Sequence, residues 1–202
     1  MNFIAKGDSV KQVALIILGW LLFAPLASYA DDPCQFDGIG DVISECTKEI
    51  QSGKRTGDDL AYVYDTRAQA WINNGEYDKA LADSNEALRL KPEWTEALLH
   101  RGYAFQGKKL YDQAKNDYDS VIESAESNIE AYTMRGSLFG LTGKLDESIA
   151  DSTQVIDITT KAGFNSRYGS DKKVDPNFNP NRARALYNRG LAFKLKGQYD
   201  VS

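Results

Sequence analysis

Apolar and polar residues are distributed along the chain in a pattern that predicts pairs of amphipathic helices. In 60–74 the apolar residues fall at helical spacing, at Leu60, Val63, Tyr64, Ala68 and Trp71. Asn74-Gly75 interrupts this segment, because glycine readily adopts the left-handed conformation found at helix ends. A second apolar face begins at Tyr77, and Pro92 ends it, since proline cannot continue a helix interior. The segment therefore predicts two helices joined by a tight turn.

This helix-pair pattern returns every 34 residues. Three segments align without gaps, EYDKALAD (76–83), LYDQAKND (110–117) and KLDESIAD (144–151). A fixed period of this length indicates a stacked array, in which each unit buries its apolar face against its neighbours. We therefore predict an all-α fold whose units lie at 61–94, 95–128 and 129–162, with a partial fourth unit at 183–202.

Two segments interrupt or precede the array. The stretch 163–181 is rich in Gly, Asn and Asp and contains two prolines, so we predict a loop inserted between units. Before the array, 41–50 has an apolar face formed by Val42, Ile43, Cys46 and Ile50. The terminal unit of such an array exposes a face that must be covered. We predict that 31–57 forms an N-terminal segment with a capping helix and that 58–202 forms the repeat domain.

The first thirty residues differ in composition from the rest of the chain. Two lysines precede an apolar run at 13–26, and the small residues Ser28 and Ala30 follow it. This layout is typical of a secretory signal peptide at 1–30, cleaved after Ala30. The alternative is a retained anchor, but the run is short for a membrane span, which needs roughly 20 apolar residues. After cleavage we expect no membrane span and a periplasmic or secreted location.

Two cysteines, Cys34 and Cys46, follow the predicted cleavage site. In an exported protein two cysteines most simply form one disulfide. A metal site would need further ligands, because two thiols without a nearby His or Cys cannot complete a tetrahedral shell. We therefore expect a Cys34–Cys46 disulfide and neither a metal nor a cofactor.

The repeat resembles the tetratricopeptide repeat (TPR) family. The resemblance covers about 58–202 and rests on three features: a small residue in each first helix, an aromatic residue three positions later, and Gly-x-Tyr-Asp before the second helix. The small residues are Ala68, Gly102, Gly136 and Gly190. Departures include Lys109 at a turn glycine and Leu145 at a tyrosine. The resemblance implies a right-handed α-solenoid of antiparallel helix pairs, with the first helices lining a concave groove.

An arginine recurs beside each small residue, at Arg67, Arg101, Arg135 and Arg189. A row of arginines could bind an anion. We favour a structural role, because the first three have an aspartate sixteen residues later, at Asp83, Asp117 and Asp151. The sequence therefore predicts three structural Arg–Asp pairs within the units.

The concave groove that the resemblance implies is the predicted binding surface for a protein or peptide partner. Aromatic side chains mixed with polar groups suit such a surface, with Tyr62, Tyr103 and Tyr187 as the expected anchors. The groove residues are Tyr62, Asp65, Gln69, Glu96, Leu99, His100, Tyr103, Glu130, Thr133, Ser137, Arg184, Tyr187 and Leu191.

The chemistry of these positions argues against one well-known partner class. A branch of the family clamps the C-terminal carboxylates of chaperones with Lys, Asn and Arg on these faces. Here Glu96 and Glu130 would repel a carboxylate. We do not expect chaperone carboxylate binding, whereas extended and helical peptides both remain open.

The sequence as a whole favours a non-catalytic exported scaffold of the bacterial cell envelope. The formal net charge is -5 and no basic tract stands out, so we expect no nucleic-acid partner. No nucleophile–base set, phosphate-binding glycine loop or metal-ligand cluster is recognisable. One alternative is an exported enzyme or enzyme subunit with its chemistry on 163–181, which lacks His and Cys. Another is a truncated fragment of a longer repeat protein.

Overall fold

The structure is a computed structural model that describes residues 39–163 and 179–197. Within these residues it contains eight α-helices and no strand. The helices are α1 (Ile39–Ser52), α2 (Gly57–Asn73), α3 (Tyr77–Leu90), α4 (Thr95–Gly107), α5 (Tyr111–Ser124), α6 (Ile129–Leu141), α7 (Leu145–Lys161) and α8 (Pro180–Leu195). In the described part of the chain, no helix is long and apolar enough to cross a membrane.

The helices pack in the order of an array. Each first helix contacts its partner in the same unit, which gives the pairs α2–α3, α4–α5 and α6–α7. Each first helix also contacts the next first helix, so that α2, α4, α6 and α8 form a continuous row. This arrangement confirms the predicted all-α array of helix pairs.

Small side chains let the helices of a unit approach each other closely. Ala68, Ala80 and Ala114 are fully buried where the two helices of a unit meet. At Gly102, a Cβ atom would lie only 2.6 Å from the ring of Tyr118, whose side chain is itself fully buried. The glycine therefore makes room for the largest fully buried side chain among the described residues.

The first helix covers the start of the array, as predicted for a capping helix. Cys46 is fully buried and packs with Val63 of α2, with Val42 and Ile50 around them. Cys34 lies outside the described residues, as does the whole predicted signal peptide, 1–30. The disulfide and the cleavage site therefore stay predictions.

The predicted loop at 163–181 ends earlier than expected. Residues 164–178 lie outside the described part, but α8 already begins at Pro180. The side chain of Asn179 accepts a hydrogen bond from the backbone N–H of Arg182, which caps the helix. Proline suits the first helical position because its missing N–H has no intrahelical partner there. Pro180 and Asn181 are therefore helical, and the predicted boundary was wrong by two residues.

Candidate functional site

Three arginines bind the two helices of their own unit together. Both Nε and Nη2 of Arg67 donate to the Asp83 carboxylate, each at 2.7 Å. Arg101 and Asp117 make the same paired bonds at 2.9 and 2.7 Å, and Arg135 and Asp151 do so at 2.9 and 2.8 Å. These bidentate bonds are the predicted Arg–Asp pairs, and they leave the arginines unavailable as an anion-binding row.

The remaining guanidinium nitrogen of each arginine reaches the preceding second helix or the cap. Nη1 of Arg67 donates to Thr47 Oγ1 at 2.9 Å, Nη1 of Arg101 to Asn85 Oδ1 at 3.1 Å and Nη1 of Arg135 to Asp119 Oδ1 at 2.6 Å. Each arginine thus links two neighbouring units. We call these three arginines the arginine staples. The sequence pattern did not reveal these second contacts.

The third arginine staple, Arg135, and its two aspartate partners all have shifted pKa values. Hydrogen bonding to Asp151, and also to Asp119, raises the pKa of Arg135 despite the burial of the guanidinium. Burial by itself raises the pKa of Asp119, but the hydrogen bonds from Lys115 and Arg135 outweigh it and hold that pKa below its usual value. Burial is also the largest influence on Asp151 and raises its pKa despite the Arg135 bonds. Ion pairs and hydrogen bonds among Lys115, Asp119, Arg135 and Asp151 hold the cluster together, so its role is structural.

Two of the predicted groove residues contact each other. His100 Nδ1 of α4 lies 2.8 Å from Asp65 Oδ1 of α2. The Asp65 carboxylate is almost completely buried, whereas His100 is partly exposed. A histidine oriented by a carboxylate supplies two of the three members of a catalytic triad, but no hydrogen bond from a hydroxyl or thiol to His100 is present among the described residues. The pair joins two neighbouring first helices.

Three predicted groove residues lie in the core instead. Asp65 is 6 % exposed, Leu99 4 % and Thr133 3 %. These positions are 34 residues apart. Asp65 contacts His100 of the next first helix, and Leu99 packs in one cluster with Ala131 and Leu138 of the next first helix. Their side chains are not accessible to a partner in the described structure, so the sequence prediction placed them on the wrong side of the helix. Tyr187 holds the corresponding position on α8 and is 69 % exposed.

The other predicted groove residues are accessible to different degrees. His100 and Ser137 are half-buried, and the amide of Asn188 donates to Ser137 Oγ at 3.0 Å. Tyr62 is exposed at one edge, where its ring stacks on Trp94 with centroids 6.3 Å apart. The exposed residues are Tyr62, Gln69, Glu96, Tyr103, Glu130, Arg184, Tyr187 and Leu191.

One cavity joins residues from all four first helices. Its volume is about 540 Å³, and we call it the groove cavity. Five predicted groove residues line it, namely Gln69, His100, Tyr103, Glu130 and Arg184. The wall also includes Ile72, Asn73, Gly75, Tyr77 and Met134, which the sequence analysis did not select. Tyr62, Glu96 and Tyr187 do not line the cavity.

The chemistry of the groove cavity is mixed. Tyr103, which is 39 % exposed, offers an aromatic face, while Glu130 and Arg184 carry opposite charges and Gln69 offers an amide. Such a combination of an aromatic anchor with convergent polar groups is typical of a recognition surface. In the described residues, no group of His, Cys, Asp and Glu side chains is arranged to hold a metal ion.

Comparison with known proteins identifies the class of this fold. The sequence model of the tetratricopeptide repeat family matches residues 61–93, 95–128 and 129–161. The chain belongs to the tetratricopeptide repeat family.

Individual relatives are similar to parts of this chain. Tetratricopeptide repeat protein 12 of Mus musculus is 40 % identical over 65 residues, which are 32 % of this chain and 9 % of that protein. The chain therefore spans only a small part of such curated relatives.

Solved structures share the fold at low sequence identity. The protein MamA (residues 41 to the end) from Desulfovibrio magneticus RS-1 superposes with a TM-score of 0.61 at 16 % identity, covering 96 % of this chain and 89 % of that one. The first TPR of Spaghetti (RPAP3), bound to the HSP90 peptide SRMEEVD, superposes with a TM-score of 0.56 at 18 % identity, covering 72 % and 99 %. Both comparisons show the fold.

Proposed function

We propose that this protein is a non-catalytic, exported scaffold that binds a peptide segment of a partner protein in the groove cavity. The observation that carries the proposal is the convergence of residues from α2, α4, α6 and α8 on one cavity of about 540 Å³. A row of first helices presents a pre-formed surface, so binding requires little ordering of the protein. The first TPR of Spaghetti (RPAP3), which has the same fold, is bound to the HSP90 peptide SRMEEVD, so peptide binding is compatible with this fold.

The charges around the groove cavity favour a peptide that is not strongly acidic. Glu130 lines the cavity and Glu96 is exposed on the neighbouring first helix. Arg184 balances Glu130, but no further Lys or Arg lines the cavity within the described residues. A C-terminal carboxylate would meet more negative than positive charge, so a chaperone-type carboxylate clamp is not part of the proposal.

The binding test uses the processed protein as bait in an envelope extract, with the captured partner identified by mass spectrometry. Tyr103→Ala should then weaken binding by about 1 kcal/mol or more, because a rigid aromatic anchor buries a large area at low entropic cost. The helical circular-dichroism signal should stay unchanged. Gln113→Ala is the matched control, since Gln113 is exposed on α5 and does not line the groove cavity. Equal effects of both substitutions would overturn the assignment of the groove.

Export is tested separately from binding. Cleavage after Ala30 would give a mature N-terminus at Asp31, because Ser28 and Ala30 meet the small-residue requirement of signal peptidase. N-terminal sequencing of the protein recovered from the periplasm or medium measures this directly. Recovery of the uncleaved chain in the membrane fraction would show a retained anchor instead.

A further inference from the structure

We propose that a second cavity of this protein binds one aromatic side chain of the partner peptide. The inference rests on the proposed function. The cavity has a volume of about 260 Å³ and lies where α6, α7 and α8 meet. Its wall is formed mainly by Gly136, Gly140 and Leu141 of α6, Leu145 of α7, and Leu191 and Leu195 of α8. We call it the apolar cavity.

The apolar cavity arises from two coincident reductions in side-chain size. At the position of Gly140, the two preceding units carry Ile72 and Gln106. At the position of Leu145, they carry tyrosines, Tyr77 and Tyr111. Only the third unit combines a glycine with the smaller leucine. The space that the earlier units fill with their own side chains is therefore open at this junction.

The first junction of the array shows what fills the equivalent space. There the ring of Tyr77 lies against Gly107 so closely that a Cβ on this glycine would be 2.5 Å from the ring. The corresponding pair at the last junction is Leu145 and Leu195, and both line the apolar cavity. Equivalent positions of the repeat thus hold an aromatic ring at the first junction and no aromatic ring at the last junction. This internal comparison points to an aromatic ring as the occupant.

The size and the chemistry of the wall agree with this occupant. An apolar cavity of about 150 Å³ is sufficient to bind benzene, so about 260 Å³ accommodates a phenyl ring with its methylene group. Most of the wall is leucine side chain and glycine backbone. The polar lining residues Ser137, Ser148 and Asn188 already hydrogen-bond within the protein, since Asn188 donates to Ser137 Oγ and Ser148 Oγ donates to the Gly136 carbonyl. A charged group would therefore find few partners there, and burying an unpaired polar group is costly. A phenylalanine or tyrosine side chain is favoured over a charged one.

The two cavities follow one another along the same helices. On α6, Glu130 and Met134 line the groove cavity, whereas Gly136 and Gly140 line the apolar cavity. Ten helical residues from Glu130 to Gly140 correspond to about 15 Å. An extended peptide covers that distance with about four or five residues. One peptide can therefore occupy the groove cavity and place an aromatic side chain in the apolar cavity.

The test uses N-acetyl-phenylalaninamide as the probe and isotopically labelled protein observed by NMR. We expect saturable shifts at Gly136, Gly140 and the Leu195 methyl groups, and none with N-acetyl-glycinamide. Gly140→Ile restores the side chain of the first unit and should weaken probe binding at least about tenfold, because it occupies the volume of the ring. A Cβ at Gly140 meets only Ser148 Oγ, at 3.5 Å, which is ordinary van der Waals contact. An unchanged helical circular-dichroism signal of Gly140→Ile checks that the variant is folded.

Two further variants make the result unambiguous. Gly190→Ala is the matched control, because a Cβ at this helical glycine meets nothing within 4 Å and should leave probe binding unchanged. Gly140→Ala fills less of the cavity and should give an intermediate affinity. Absence of saturable shifts, or equal binding by the wild-type protein and Gly140→Ile, would overturn the proposal.

The remaining outcomes distinguish a residue of this chain from a partner peptide as the occupant of the apolar cavity. Tyr199 follows Gly197 closely in the sequence and lies outside the described residues. Nuclear Overhauser contacts between Tyr199 and the Leu141 or Leu195 methyl groups would show that the chain fills its own cavity, which would also overturn the proposal. The probe experiment does not require the partner. Probe binding that persists while Tyr103→Ala leaves partner binding intact would therefore refute the groove proposal alone, and the reverse result would refute the apolar-cavity proposal alone.

Discussion

Two glycines of the first helices differ in how closely they are packed. A Cβ at Gly102 would lie 2.6 Å from the fully buried ring of Tyr118, whereas a Cβ at Gly136 would lie 3.2 Å from the Asp151 Cβ. Overpacking a core costs typically about 1–3 kcal/mol. Replacing an interior helical glycine by alanine gains about 1 kcal/mol of helix propensity. An alanine at Gly102 should therefore lower the stability of the protein. At Gly136 the cost of overpacking and the gain in helix propensity should nearly cancel.

We expect Gly102→Ala to destabilise the protein by about 1–2 kcal/mol and Gly136→Ala to change its stability by less than about 1 kcal/mol. Urea unfolding followed by circular dichroism measures both. If the two variants unfold at the same urea concentration, the ring of Tyr118 yields more readily than its complete burial indicates.

Lys109 has an unusual backbone conformation for a residue with a side chain. Its φ is 61°, in the left-handed region, and the equivalent turn positions of the first and third units are Gly75 and Gly143 with φ of 76° and 74°. This conformation costs a non-glycine residue roughly 1–2 kcal/mol, although glycine loses more entropy on folding.

We expect Lys109→Gly to stabilise the protein by about 0.5–1 kcal/mol, since the relief of strain exceeds the added entropy cost. The thermal midpoint should rise by a few degrees. Lys108→Gly is the control, because Lys108 has a φ of -83° and gains no relief. A lower midpoint for Lys109→Gly would show that Lys109 makes a stabilising contribution beyond its backbone.

Among the described helices, α5 is tied to α6 by a charge cluster that should make stability depend on pH. Hydrogen bonds from Lys115 and Arg135 lower the folded-state pKa of Asp119 below 3.8, its value without such partners. A depressed folded pKa gives stability that is present above the unfolded pKa and is lost as the pH falls through the folded pKa. Asp151 has a raised pKa and acts in the opposite sense.

We expect Asp119→Asn to destabilise the protein by about 1–3 kcal/mol at pH 7, because one charged partner of Arg135 is removed. The difference from the wild type should shrink below about pH 4, where the Asp119 carboxylate becomes protonated in the unfolded chain and then in the folded one. Urea unfolding at pH 7 and at pH 3 measures the change. A constant difference between the two pH values would mean that the charge of Asp119 is irrelevant to stability.

At the scale of helices, the contacts of the arginine staples show which interactions the sequence predicts and which it does not. The Arg–Asp pairs within units were predictable because the sixteen-residue spacing recurs three times. The partners in the preceding unit were not, because Thr47, Asn85 and Asp119 are chemically different. Thr47 also lies twenty residues before its arginine, whereas Asn85 and Asp119 lie sixteen before theirs. Because several kinds of side chain can accept this hydrogen bond, the acceptor is not the same residue in each unit, and the sequence shows no repeat at this position.

At the scale of the whole molecule, the period of 34 residues was sufficient to predict the stacked all-α fold, because each unit can bury its apolar face only against its neighbours. The groove was predicted less well. An inner first helix such as α4 has four neighbours, namely its partner α5, the second helix α3 of the preceding unit, and the first helices α2 and α6 on either side. The pattern of apolar residues does not separate the face covered by the next helix from the open face. Asp65 and Thr133 are polar yet buried for this reason.

The N-terminal segment adds a prediction for the intact protein. Cys46 is fully buried against α2, and Cys34 is the other cysteine of the sequence. If export occurs and the two form a disulfide, a maleimide reagent should add to no cysteine in the denatured, unreduced protein and to two after reduction. Addition of two labels before reduction would rule out the disulfide. Mass spectrometry of the intact protein distinguishes the two results.

The arginine staples have a consequence for how the array unfolds. Arg67, Arg101 and Arg135 connect α1, α3, α5 and α7 in sequence, so melting one unit also removes hydrogen bonds from its neighbour. Such nearest-neighbour coupling penalises every boundary between folded and unfolded units and favours unfolding in one step. Arg189 on α8 makes no such bond among the described residues. Within the described residues, the side-chain hydrogen bonds between α8, with its C-cap Lys196, and α7 are those of Arg182 and an exposed Lys196–Asp146 pair. Among the described helices, amide exchange should therefore be fastest in α8, and unfolding of the array should begin at this helix.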